Sequence, residues 1–177
     1  MEEKDLQLIR SAKHGSKEAF ALLVQNYKQY VYRTAYGILQ SRTDAEDVVQ
    51  EAFIKAYLSL AQLQEERSFP SWITTITTRL AIDLIKKRQR ASPVTWDDSW
   101  LQIQDPKHDI SHTELRLSVH HALAELNEDH RAILILREIH GFDYQEIANI
   151  LQIPIGTVRS RLHSARMQLR KTLENHL

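Results

Sequence analysis

The sequence predicts an all-α protein: two small helical domains joined by a linker, the C-terminal one a helix-turn-helix. Three observations carry that expectation. Apolar residues recur every three to four positions over most of the 177 residues, the period of helices with one buried face. Only 4 glycines and 4 prolines punctuate the chain, so few places can break a helix. Between residues 91 and 111 the periodicity lapses into Ser92-Pro93, Trp96-Asp97-Asp98, Asp105-Pro106 and Asp109. This stretch reads as an acidic linker between domains 1–90 and 112–177, with Trp96, Trp100 and Ile103 available to anchor it to a surface.

Leu6, Ile9 and Ala12 mark a short first helix that ends near Gly15, and Ser16 is placed to cap the second. Phe20, Leu23, Val24, Tyr27, Val31, Ala35 and Ile38 then keep helical spacing to about residue 39. The tyrosines 27, 30, 32 and 36 fit core and rim better than a base-stacking platform. Thr43-Asp44-Ala45-Glu46 has the pattern of a capping box and starts a third helix, running to about residue 60. Its buried stripe is Ala45, Val49, Ala52, Phe53 and Ala56. On the opposite face Asp47, Glu51, Ile54 and Leu58 project together, with Gln50 beside them. Large aliphatics rimmed by acids mark a partner surface, unless another helix of the same domain covers Ile54 and Leu58.

Residues 61–69 form a polar connector. Pro70 suits a first helical turn, and a fourth helix follows to about residue 90. Its WITTITT run favours strand by local propensity, but Ile73, Ile76, Leu80 and Leu84 keep the helical period. Its cationic end, 86–90, is either a solvated helix terminus favoured by the dipole or a phosphate-binding patch. From His112 helix resumes, with Leu115, Val119, Ala122, Leu123 and Leu126 on one face. Asn127 can cap a further helix over 128–140, closed by Gly141.

The last stretch, residues 142–173, is FDYQEIANILQIPIGTVRSRLHSARMQLRKTL. Asp143 and Glu146 have capping-box spacing, with Phe142 and Ile147 placed to staple it. Gln152-Ile153-Pro154 stops this helix, because proline lacks the N–H needed to continue. A second helix restarts near residue 155 with Val158, Leu162, Ala165, Leu169 and Leu173 on its buried stripe. Arg159, Ser160, His163, Ser164, Arg166, Arg170 and Lys171 flank or oppose that stripe. Two helices about a tight turn, the second bearing cations and hydroxyls, are the helix-turn-helix pattern that places one helix in the DNA major groove.

Composition narrows the function. With 42% hydrophobic and 26% charged residues the chain can fold, and with no cysteine it forms neither disulfides nor thiolate metal sites. The charged N-terminus has no signal-peptide core, and no run reaches the length of a membrane span, so a cytoplasmic protein with no membrane insertion is expected. The 23 basic and 23 acidic residues cancel to +0, unlike a nonspecific DNA coat. Cations gather at 79–90 and 159–171, acids at 44–51 and 97–109, which suggests more than one kind of partner. No His-Glu-x-x-His, P-loop or Gly-x-Gly-x-x-Gly is present. His120 and His121 are adjacent on a helix and point in different directions. No enzyme, cofactor or metal site is expected; a helix-turn-helix regulator binding an operator alone remains a competing reading.

Three blocks, DAEDVVQEAFIKAYLSL (44–60), FPSWITTITTRLAIDLIKKR (69–88) and IPIGTVRSRLHSARMQLR (153–170), resemble bacterial sigma factors of the sigma-70 family, in the extracytoplasmic-function (ECF) class. The resemblance covers nearly the whole chain and implies two conserved regions, two and four, joined by a linker. It implies three partners: core RNA polymerase, bound through its β′ clamp helices and β flap; promoter DNA; and an anti-sigma factor. By this resemblance Asp44, Asp47, Val48, Gln50 and Glu51, with the outward Ile54 and Leu58, dock on the polymerase, and Phe53 lies in the same matching block. Lys55, Leu63, Gln64, Arg67, Arg79, Lys86, Lys87 and Arg88 fall in the part that melts the −10 element and holds flipped bases. Thr157, Arg159, Ser160, Arg161, His163, Ser164, Arg166 and Arg170 fall in the helix that reads the −35 element. Two positions depart from the family pattern, and both bear on −10 base choice. The connector has Gln64-Glu65-Glu66-Arg67 where many relatives carry a glycine, and Arg79 stands where relatives often carry Asn.

Overall fold

The computed structural model describes residues 3–91, 119 and 121–176. Among these residues the elements are helical. In the N-terminal half α1 spans Glu3–Lys13, α2 Lys17–Leu39, α3 Arg42–Ser59 and α4 Phe69–Ala91; short 3-10 turns at Leu60–Gln62 and Glu66–Ser68 bridge α3 to α4. The C-terminal half has a helical stretch at 121–124, then α5 over Glu128–Leu134, α6 over Tyr144–Leu151 and α7 over Ile155–His176. The acidic linker beyond Ala91, with Trp96, Trp100 and Ile103, and the expected helix start with Leu115 lie outside the described residues.

Local sequence signals set most helix starts. Ser16 Oγ accepts from Ala19 N–H, and Asn127 Oδ1 accepts from His130 N–H, each satisfying an orphan donor of a first turn. Asp143 and Glu146 form the reciprocal capping box, at 2.8 and 2.7 Å. Gly15 and Gly141 leave their helices with φ of 96° and 73°, a region costly to residues with a Cβ. Gln40 and Gln152 do the same work without being glycine, at φ 54° and 55°.

Two expectations need correction. The cap of α3 is Ser41, whose side chain accepts from Asp44 N–H, so the helix begins before the Thr43–Glu46 pattern. The helix expected over 128–140 is regular α only to Leu134. Ile135–Ile139 widens into a π turn, and the chain closes through His140 N–H to Ile135 O and Phe142 N–H to Leu136 O. The connector is also less open than its polarity suggests. Leu63 and Phe69 are buried, and Lys13 Nζ binds Leu63 O and Glu66.

Three clusters hold the fold. α1 to α4 enclose Ile9, Leu23, Val31, Phe53, Phe69 and Ile73. α5 to α7 enclose Ile133, Leu136, Phe142, Ile147, Val158 and Leu162. A third cluster joins the halves: Ile38, Ala81, Ile82 and Ile85 pack with Ala132 and Ile135. Burial should dictate the response to truncation. Leu23→Ala, at a fully buried site, is expected to lower unfolding free energy in urea by about 2–5 kcal/mol. Leu58→Ala, at a side chain 76% exposed, should change it by less than about 0.5 kcal/mol.

Candidate nucleic-acid interface and docking face

The second helix of the helix-turn-helix is held from below. Val158, Leu162 and Ala165 are buried and Leu169 is half-buried, while α6 packs Ile147, Ala148 and Ile150 against them. Gln152 ends α6 in the left-handed region, Pro154 opens the next helix, and Thr157 and Val158 N–H both return to Pro154 O. This fixes the angle at which α7 leaves the turn. Its outer face presents Arg159, Ser160, His163, Ser164, Arg166 and Arg170 to solvent, with Thr157 and Arg161 partly covered.

The cations on this face are not all free. Arg161 pairs with Asp129 at 2.6 Å, Arg166 with Glu138 at 2.6 Å and Arg170 with Glu174 at 2.8 Å. The bonds to Glu138 and Glu174 push the Arg166 and Arg170 pKa values above the usual guanidinium range. Such exposed pairs contribute little to stability and exchange readily for a phosphate. Ser160 Oγ donates to Thr157 O. Arg159 is exposed beside it.

On α3 the outward face is as the periodicity predicts. Asp47, Gln50 and Glu51 are exposed, Ile54 is 60% and Leu58 76% exposed, and no helix of the described residues covers the two aliphatics. Tyr57, not foreseen, extends the face. With Phe20 and Val24 of α2 it lines a shallow groove that continues to Ile54 and Leu58. Two residues assigned to this face are not on it. Val48 is buried in the core, because it lies on the Ala45–Ala52 side of the helix. Asp44 is also buried, and bonds Arg88 across to α4.

The cationic residues expected to meet the −10 element are dispersed. Gln64 and Arg67 are exposed in the connector that precedes α4, and Lys55 is exposed on α3 and paired with Glu51. Leu63 is buried and offers no side chain there. Lys86 and Lys87 are exposed at the far end of α4, about 26 Å along the axis from Phe69 at 1.5 Å per residue, and Arg88 is held by Asp44. Arg79 faces the other domain, donating to Asn149 O at 3.2 Å and Ile150 O at 3.4 Å. The structure thus does not gather this set into one patch.

Sequence reasoning missed the residues that join the halves. Arg131 is buried and donates to Ile38 O at the end of α2 and to Leu126 O and Ala124 O in its own domain. A cation at two helix C-termini satisfies orphan carbonyls there. His140 is bonded by Tyr30 and Thr34 of α2, both at 3.0 Å. The signal available was the breadth of apolar surface on α4, where Ala81, Ile82 and Ile85 lie beside the Ile73–Leu84 stripe.

No described helix is long and apolar enough to cross a membrane, and among the described residues no cluster of three His, Asp or Glu could hold a metal. The family model described as Sigma-70 region 2 matches residues 23–91, and that described as Sigma-70, region 4 matches residues 116–169. The chain is 34% identical to the RNA polymerase sigma-H factor of Pseudomonas aeruginosa, over 98% of this chain and 95% of that protein. It is 32% identical to the ECF RNA polymerase sigma factor SigW of Bacillus subtilis, covering 94% and 95%. Among solved structures it is similar to CnrH in complex with the cytosolic domain of CnrY. That match has a TM-score of 0.64 at 25% identity, over 98% and 99% of the chains. The sigma factor RpoE of Bartonella quintana, solved with the anti-sigma factor NepR, shares the fold. Its TM-score is 0.68 at 24% identity, over 88% and 96% of the chains.

Proposed function

This chain belongs to the sigma-70 family of RNA polymerase sigma factors, in the ECF class, and on that premise we propose that it joins core RNA polymerase and directs initiation at specific promoters. In this reading residues 1–90 bind the polymerase and melt the −10 element, 91–111 link the halves, and 112–177 read the −35 element as duplex. In this reading the protein contributes recognition and positioning and acts in the cytoplasm.

One observation carries the reading: the same chain bears a helix-turn-helix and, on a different domain, an uncovered acidic-aliphatic face. A regulator that binds an operator alone has no use for that face. Asp47, Gln50, Glu51, Ile54, Tyr57 and Leu58 are the side chains available to the β′ clamp helices, with Val48 and Asp44 supporting the helix from beneath. On α7, Arg159 and Ser160 near the N-terminal end reach base edges, while Arg161, Arg166 and Arg170 hold phosphates. Thr157, His163 and Ser164 complete the surface. Lys55, Gln64 and Arg67 line the −10 side, and Lys86 and Lys87 hold DNA phosphates farther along α4. An anti-sigma factor that covers these faces is the expected regulator, as CnrY and NepR are found with the similar proteins.

Run-off transcription with purified core polymerase and a library of −35/−10 sequences tests the function. The chain should activate a defined promoter subset, and DNA binding with no polymerase-dependent transcript would overturn the reading. Glu51→Lys and Ile54→Glu are expected to weaken retention of core polymerase on the tagged protein; unchanged retention in both would remove the face from the interface. Arg159→Ala should cost about 1–3 kcal/mol at one −35 base and relax specificity there. Arg170→Ala should weaken all promoters alike and reduce the salt slope by about 1. An equal loss on every promoter for Arg159→Ala would reassign it to phosphate.

A further inference from the structure

We infer that Gly37 and Ile135 form the seat of a closed resting form, and that this seat parts when a promoter is read. Gly37 lies in α2 with ordinary helical backbone, where glycine is a poorer helix former than alanine. The position that suits glycine comes three residues later, at the left-handed C-cap, and there the chain has Gln40. Space explains the placement. A Cβ on residue 37 would stand 2.8 Å from Ile135 Cδ1 of the other half, so glycine leaves that side chain its room. Ile135 in turn opens the π turn over Ile135–Ile139, a rare widening of helix that concentrates at functional sites. Each feature is a local cost in its own half, and the two meet at one contact.

The faces around the seat are complementary. Ile38 of α2 and Ala81, Ile82 and Ile85 of α4 pack with Ala132 and Ile135, each 8% exposed or less. At the rim each half supplies an arginine to a helix end of the other. Arg131, itself buried, donates to Ile38 O in the last turn of α2 at 2.9 Å. Arg79 donates to Asn149 O and Ile150 O in the last turn of α6. The last carbonyls of a helix have no partner inside it, so the two arginines are reciprocal caps. Both caps are lost together when the halves part.

Promoter geometry opposes this form. The −35 and −10 elements are centred about 25 base pairs apart, on the order of 85 Å of duplex. A folded body of 177 residues has a radius of gyration of about 16 Å, hence a breadth of about 40 Å. Closed, the chain reaches one element or the other. To read both, the C-terminal half must leave α2 and α4, and parting also frees Arg79 for DNA. This consequence rests on the function proposed above, whereas the seat does not.

The chain has no cysteine, so Lys28→Cys on α2 and Met167→Cys on α7, both at exposed positions, accept a donor and an acceptor dye. Single-molecule energy transfer in the free full-length protein should show a dominant closed population. Gly37→Gln adds a side chain that helices favour over glycine but for which the seat has no room. Helix content by circular dichroism should therefore hold while the closed-to-open ratio falls about tenfold or more. Ile135→Ala alone should also lower the ratio. Combined with Gly37→Gln it makes room over residue 37, so the double variant should lose less than the product of the two separate losses. A parent that is mostly open, a ratio unmoved by either change, or losses that simply multiply would overturn the seat. Bound to core polymerase on a promoter it transcribes, the labelled parent should shift to low transfer, and transfer that stays high there overturns the parting. Absence of any polymerase-dependent transcript overturns the proposed function and the parting with it, while the seat stands on the free-chain result.

Discussion

Helix α4 is buried on two sides at once, and the placement of the other elements follows from that constraint. Phe69, Ile73 and Leu80 enter the core of the N-terminal half, while Ala81, Ile82 and Ile85 enter the cluster shared with the C-terminal half. A helix with so little free surface has few positions for large polar groups. Threonine is a workable compromise there, being compact and able to return its hydroxyl to the preceding turn. Thr74, Thr75 and Thr77 do so, donating to the carbonyls of Pro70, Ser71 and Ile73. Thr78 is the exception, its hydroxyl buried without a partner among the described residues. The run that looks like a strand by propensity is a helix because burial on two sides outweighs the few tenths of a kcal/mol that β-branching costs each residue.

What was legible in the sequence is what local chemistry decides. Ser16, Asn127 and the Asp143–Glu146 box cap where their spacing says, and the apolar stripes that fall within the described residues lie on helices. The errors share a cause. At α3 two capping groups compete within three residues, and Ser41, following the left-handed Gln40, caps the helix two residues before Thr43 would. Asp44 is called inward by Arg88, 44 residues away, and no local pattern encodes such a partner. Val48 was assigned outward by resemblance, though its own spacing from Ala45 and Ala52 puts it inside. The π turn at Ile135–Ile139 brings Ile135 to the shared cluster, and the reason for it lies in the other domain.

Neutral overall charge and a DNA-binding helix are reconciled by the pairs on α7. Arg161, Arg166 and Arg170 are each matched by an acid in the same half of the chain. Exposed pairs of this kind cost little to exchange, so the acids compete with phosphate but do not prevent its binding. They weaken nonspecific attraction, which scales with uncompensated charge. Base-edge contacts lose nothing by this. In the proposed function a chain that relies on polymerase for its general grip on DNA gains selectivity from such compensation, and Arg159, outside those pairs, is the least masked cation on this face.

The contact between the halves is small. The apolar side chains at its centre are few, and its rim is hydrogen bonds that water can replace, each worth about 0.5–1.5 kcal/mol net. As an encounter between separate molecules this would be a weak association. Within one chain the partner is tethered, which raises its effective concentration and favours a weak interface staying closed. Separation exposes Ile38, Ile82, Ile85 and Ile135 together, an apolar surface that favours re-closure or capture by another protein. In the proposed function, polymerase binding at the α3 face and DNA binding at α7 need not break this contact directly. They need only be worth more in the separated form, because a ligand shifts a two-state equilibrium by its differential affinity and by nothing else.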